Sequence, residues 1–170
     1  MYRKRTYQTE GKSCMRTLKA AGLAAVASGA IGLLGSLPAH AAVLSVGSSN
    51  STFGGIVCAD VQGGSLNSFT PVQAWNCNAA PNQQFEFNGT TIYTVGAQLC
   101  LDVYYAGTAP GTIVESFPCN GTGAQTWYYF NGEIVNLNSG LCLDATNMAD
   151  GTQLVINSCN GADSQNWQIK

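Results

Sequence analysis

The chain has 170 residues, seven basic and nine acidic, and charge is divided unevenly along it: six of the seven bases lie before residue 20. Beyond Ala41 one base, Lys170, faces eight acids (Asp60, Glu86, Asp102, Glu115, Glu133, Asp144, Asp150 and Asp163), a side-chain charge of −7. Phosphate backbones and anionic lipid surfaces are bound by clustered Lys and Arg, so charge excludes nucleic acid and membranes as partners of this part.

The first element in chain order is a basic region, Arg3, Lys4, Arg5, Lys12, Arg16 and Lys19. It is followed by a small-residue apolar run from Ala20 to Leu37 and by Pro38-Ala39-His40-Ala41. A basic region, an apolar run and an A-x-A motif in that order make a secretory signal peptide. Residues 1–41 are therefore expected to be removed, leaving 42–170 as a secreted, extracellular domain with no membrane contact. A retained anchor is the competing reading, because the run is near the lower limit for a bilayer span; its Gly and Ala content and the cleavage motif favour removal. The remaining 129 residues suit one domain. Cys14 leaves with the signal, so six of seven cysteines remain, an even number that reads as three disulfides in an exported protein.

An internal repeat organises this domain. Cys58, Cys100 and Cys142 are 42 residues apart, and each opens a similar phrase: Cys58-Ala59-Asp60-Val61, Cys100-Leu101-Asp102-Val103, Cys142-Leu143-Asp144-Ala145. A second cysteine follows at Cys77, Cys119 and Cys159, then Gln-x-aromatic at Gln83-Gln84-Phe85, Gln125-Thr126-Trp127 and Gln165-Asn166-Trp167. Three units result, approximately 43–90, 91–132 and 133–170. Six cysteines allow fifteen pairings in principle. The simplest one consistent with three equivalent copies is local, Cys58–Cys77, Cys100–Cys119 and Cys142–Cys159, each loop contributing roughly 3 kcal/mol.

Within a unit, short strand-like segments are separated by Gly, Asn, Ser and Asp clusters, and no segment has a helical period, so the domain reads as all-β. Val43–Val46, Ile92–Val95 and Ile134–Leu137 open the units, with about seven extra residues before Cys58. Leu99–Val103, Thr112–Phe117 and Trp127–Phe130 read as further strands, and Asn131-Gly132 as a hairpin turn. The count closes at about four strands per unit.

A unit of about 40 residues with C-x-D, a second cysteine and Q-x-W, repeated three times in register, resembles the ricin B-chain lectins, which include family 13 carbohydrate-binding modules. The resemblance covers essentially all of 42–170. It implies a β-trefoil, twelve strands about a pseudo-threefold axis, with up to three shallow sugar pockets and with glycans or polysaccharides as partners. Phe85, Trp127 and Trp167 are expected in the core, whereas the three aspartates can serve either a sugar or a turn.

A neutral sugar offers adjacent hydroxyls and one apolar face. Its site therefore needs a carboxylate acceptor, amides and an aromatic plate. In the first unit the resemblance assigns Asp60 as hydroxyl acceptor, Gln73 as flanking amide, Trp75 as plate, Asn82 and Gln83 as the polar pair and Asn78 as a rim contact. The second unit keeps Asp102, Phe117 and Gln125, with Asn120 at the rim, but Glu115 replaces the flanking Gln and Ala124 the Asn, which predicts an altered site. Tyr104 and Tyr105 lie on the following loop and either compensate or are simply exposed. The third unit keeps Asp144, Asn160 and Gln165 but has Val155, Asn157 and Ser164 in place of the flanking Gln, the plate and the Asn. It is expected to be silent.

Catalysis is not expected, since residues 42–170 hold no His, no free Cys if all six pair, and one Lys. The same inventory excludes Cys-His zinc sites, and no metal or cofactor is implied. A glycosidase needs two carboxylates within about 5–10 Å; the repeated aspartates belong to different units, although Asp102 and Glu115 remain a possible pair. The expected function is that of a monomeric lectin for galactose-type or xylan-type glycans with its strongest site in the first repeat. The alternative is a trefoil whose loops engage a protein such as a protease. Asn50, Asn88 and Asn120 lie in glycosylation sequons, which matter only in a host that uses them.

Overall fold

The computed structural model describes residues 42–46 and 56–170. The expected signal segment and most of the insertion before Cys58 lie outside the described residues. Each repeat supplies four strands. The first has β1 (Ala42–Val46), β2 (Val57–Val61), β3 (Thr70–Asn76) and β4 (Gln84–Asn88); the second has β5 (Thr91–Thr94), β6 (Cys100–Val103), β7 (Thr112–Phe117) and β8 (Trp127–Phe130). The third has β9 (Glu133–Asn136), β10 (Leu141–Asp144), a strand interrupted at Leu154 that counts as β11 (Thr152–Gln153) and β12 (Val155–Asn157), and β13 (Trp167–Ile169). Helical structure among the described residues is confined to three-residue 3₁₀ turns.

Six strands close a barrel. β1 pairs with β4 and β13, β4 with β5, and β8 with β9. The ring is completed where Trp127 N donates to Thr90 O at 2.7 Å and Trp167 N to Gly132 O at 2.6 Å. The other strands form three hairpins, β2–β3, β6–β7 and β10–β12, and these are joined in a triangle by β3–β7, β7–β12 and β11–β3. Closure leaves no long unpaired edge. This is the β-trefoil implied by the repeat.

The repeat signature is mainly core. Phe85, Trp127 and Trp167 are almost completely buried and meet around Leu44, Ile92, Leu101, Ile134 and Leu143. Each indole has its polar edge satisfied: Trp127 Nε1 donates to Leu101 O and Trp167 Nε1 to Leu143 O, both at 2.9 Å. A buried N–H without a partner is costly, so the tryptophan ties the Q-x-W segment to the C-x-D strand of its own repeat. The three local disulfides form as the repeat predicts. They staple each hairpin of a domain that holds little apolar volume per repeat.

The expected segments Thr112–Phe117 and Trp127–Phe130 coincide with β7 and β8, and the first residues of β5 and β6 fall one residue from their expected positions. Gln98, in left-handed backbone (φ 54°), lies in the turn between these two strands. Asn131 and Gly132 (φ 51° and 88°) make the tight β8–β9 turn, a conformation that favours Asn-Gly. Truncating Trp167 to Ala removes a core anchor and leaves Leu143 O without its donor. Equilibrium urea unfolding should show a loss of about 3–5 kcal/mol.

Candidate functional site

In the first repeat, Asp60 faces Gln73 and Cys58 faces Trp75 across the β2–β3 ladder. Alternation along the strand puts Gln73 and Trp75 on one face with Asp60. The 3₁₀ turn Pro81–Gln83 then carries Asn82 and Gln83 against the carboxylate. Asp60 Oδ1 accepts from Gln73 Nε2 at 3.1 Å, and Oδ2 accepts from Asn82 Nδ2 at 2.7 Å and Gln83 Nε2 at 3.0 Å. Asp60 and Gln73 are buried while Trp75 is 39 % exposed. An oriented carboxylate, amide oxygens and an open indole face therefore lie together.

Two of the expected contacts also build the loop. Gln83 Oε1 accepts from Asn78 N at 2.9 Å and its Nε2 also donates to Asn76 O, while Asn78 Oδ1 accepts from Ala80 N. Gln125 and Asn120 repeat the arrangement, with Asn120 N on Gln125 Oε1 at 2.8 Å and Asn120 Oδ1 taking Thr122 N. Gln165 and Asn160 repeat it again. These residues hold the loop after the second cysteine. Their remaining polar atoms are what a ligand can use.

The second repeat places its residues around a cavity of about 370 Å³ lined by Phe69, Asp102, Tyr105, Glu115, Phe117 and Asn120, among others. Asp102 and Glu115 are registered partners on β6 and β7, and both are more than nine-tenths buried. Ala124 stands where Asn82 stands in the first repeat and also lines this space, so the amide that donates to Asp60 has no counterpart here. Gln125 Nε2 donates to Pro118 O at 3.0 Å. Among the described residues no hydrogen bond of good geometry closes on either carboxylate. Burial pushes the Asp102 carboxyl above its ordinary range, with the nearby Gln125 amide pulling it partly back. Burial, and then the charge of Asp102, raise Glu115 in the same direction.

The third repeat fills its own site. Asn157, at the plate position, donates Nδ2 to Asp144 Oδ2 at 3.0 Å and accepts from Gly111 N on Oδ1 at 3.0 Å. Gln165 Nε2 and Thr146 N satisfy the rest of Asp144. The aspartate here closes turns, the alternative reading of this motif.

Sequence reasoning missed one part of the arrangement. The residue just before the second strand of each hairpin lies against the plate position of the next repeat around the axis. Phe69 meets the Phe117 ring edge-on with centroids 4.7 Å apart, Gly111 meets Asn157, and a Cβ on Gly151 would lie 3.7 Å from the Trp75 ring. All three have positive φ (60°, 85° and 82°), and two of them are glycine. Tyr105 (φ 50°) likewise stands where the first repeat has Gly63 (φ 65°). Holding a bulky residue in this conformation costs on the order of 1–3 kcal/mol, so two aromatic walls of the second-repeat cavity are kept against backbone preference. Aligning Phe69 with Gly111 and Gly151 is the sequence signal that would have found it.

Three equivalent lobes, with candidate sites on the hairpin faces of the first two, define a β-trefoil binding domain of the lectin class. The family described as the ricin-type β-trefoil lectin domain matches residues 50–167. The chain belongs to this family, and carbohydrate binding is its function at that level. No curated protein matches the sequence closely enough to count as a relative. Among solved structures, the agglutinin from Abrus precatorius is 28 % identical with a TM-score of 0.64; the alignment covers 77 % of this chain and 49 % of that one, so this chain spans about half its length. The designed threefold-symmetric protein ThreeFoil is 25 % identical with a TM-score of 0.62, covering 66 % of this chain and 89 % of that one. A non-toxic homologue of type II RIPs from Momordica charantia, solved in complex with α-methyl-D-galactoside, shares the fold at 24 % identity and a TM-score of 0.64, covering 76 % of this chain and 47 % of that one.

The raised carboxylates have a stability consequence. A folded-state pKa above the unfolded one favours the protonated fold, so the stability these two groups contribute is fully present below the ordinary carboxylate range and is lost as pH rises through the folded value. Glu115→Gln removes one of the two charges. Thermal melts should show the variant more stable than the parent at neutral pH, with the difference shrinking as the pH falls below the carboxylate range.

Proposed function

We propose that the protein is a secreted lectin for galactose-type or xylan-type glycans, with the first repeat as its principal neutral-sugar site. The observation that carries this reading is the Asp60 cluster. A buried carboxylate is held in place by three amides next to an exposed indole face. Asp60 has capacity left for a sugar hydroxyl, Gln73 Oε1 and Asn82 Oδ1 offer further acceptors, and Trp75 can stack on the apolar face of a pyranose. Secretion is supported by the layout of residues 1–41 and by three disulfides.

Ligands of this kind bind weakly at each site. A millimolar site supplies only about 4 kcal/mol, and a second engaged site on the same polymer can raise avidity by roughly 10² to 10⁴. Polymers should therefore be retained where free monosaccharides are not. The third repeat adds nothing to this, because Asn157 stands where an aromatic plate is needed and is itself bonded to Asp144 and to Gly111 N.

The test is retention on a panel of insoluble polysaccharides together with a glycan array. Retention of galactan-type or xylan-type polymers is expected, and no retention on any glycan would overturn the reading. Trp75→Ala should weaken neutral-glycan binding by about tenfold or more while leaving the melting profile in place, since the ring is exposed and its loss opens no core cavity. An unchanged affinity in that variant would remove the first repeat from the site.

A further inference from the structure

We propose that the second-repeat cavity takes a cationic amino-sugar unit, one with an unsubstituted amine, between Asp102 and Glu115, with its ring against Phe117. This rests on the carbohydrate-binding reading and gives the second site a ligand class of its own.

The first repeat surrounds its aspartate with neutral amide donors, Gln73 and Asn82. At the same two positions the second repeat has a second carboxylate, Glu115, and a methyl group, Ala124. A site that donates and accepts has become one that, when ionised, only accepts. A neutral sugar hydroxyl answers one such acceptor; an ammonium brings three N–H donors, no acceptor and a compensating charge.

Nothing in the described structure supplies that charge. Asp102 and Glu115 face one another on β6 and β7, both more than nine-tenths buried and both lining the cavity, and the neutral Gln125 amide is the only donor beside Asp102 among the described residues. The other groups facing them are Tyr104 and Tyr105 on the 3₁₀ turn after β6. The segment that brings Phe69 and the turn Gly123–Gln125 carry no ionisable side chain. Lys170, the one base beyond Ala41, pairs through its backbone with Val43 in the barrel. Two buried carboxylates left without a counterion are costly, and a cation from solution offsets that cost.

The walls select an organic cation. Phe69, Tyr105 and Phe117 line the cavity, and aromatic faces attract an ammonium and stack on a sugar ring. A calcium ion prefers six to eight oxygen ligands, and the Phe69 and Phe117 rings supply none. The volume of about 370 Å³ lies within the range of small-molecule sites. Phe69 reaches the cavity from a left-handed position where both sibling repeats have glycine, Gly111 and Gly151, and Tyr105 from one where the first repeat has Gly63 and the third Asn147, so the two rings are present at this pocket alone among the three.

The full protein should be titrated with glucosamine oligomers, with the same oligomers fully N-acetylated, and with calcium chloride, at about pH 6.5, where the amine is charged. The free-amine oligomers should bind about tenfold or more tightly than the acetylated ones. Glu115→Gln should erase that preference and Phe69→Gly should reduce it, whereas an acid variant outside the cavity, Asp150→Asn, should leave it. Affinity should fall in acid as Asp102 and Glu115 take up protons, and in alkali as the amine loses its own. Equal affinity for the two oligomers, or an equal loss of preference in Asp150→Asn, would overturn the proposal; so would calcium binding that disappears with Glu115→Gln. A protein that binds neutral polymers through Trp75 but shows no amine preference refutes this inference alone. One that binds no glycan refutes the lectin reading as well.

Discussion

The structure depends on three buried glutamine side chains, Gln83, Gln125 and Gln165. Each closes the loop after a disulfide, its oxygen taking an Asn backbone N–H and its amide reaching a carbonyl seven residues earlier. Two residues on, Phe85, Trp127 or Trp167 enters the core. One short segment thus anchors the lobe to the barrel and sets the loop beside the aspartate. Removing it would disturb packing and pocket together, because a buried amide without partners costs about as much as a lost core contact.

On that shared frame the three repeats differ in how the aspartate is satisfied. Asp60 is held by three amides and stays open to a ligand from the side of Trp75. Asp144 likewise accepts three hydrogen bonds, from Asn157, Gln165 and Thr146 N, but Asn157 stands there in place of an aromatic plate. Asp102 receives no comparable donor and meets Glu115 instead. The same fold therefore provides a polar neutral site, a closed turn and an acidic cavity. The differences come from two or three side chains and not from the backbone, since all three hairpins keep the same register with their neighbours.

Each site is also shared between lobes. Phe69 from the first repeat walls the second, Gly111 from the second meets the third, and Gly151 from the third approaches the indole of the first. Substitutions at these positions act on the following lobe. Glycine leaves the neighbour's plate open, whereas phenylalanine encloses it.

Much of this was legible in the sequence. The 42-residue period specified the lobes, the cysteine pairs and the core aromatics, because each is repeated at fixed spacing within one unit, while the grouping of Asp60, Gln73, Trp75, Asn82 and Gln83 came from the resemblance to ricin B-chain lectins. The double role of Asn78 and Gln83, the self-filled third site and the enclosure of Asp102 and Glu115 by Phe69 were decided by the tertiary structure. These depend on which lobe follows which around the axis and on which donors reach a given carboxylate. Spacing along one chain describes residues within a repeat; the cavity lies between two of them, and its character depends on hydrogen bonds that are present in one lobe and missing in the next.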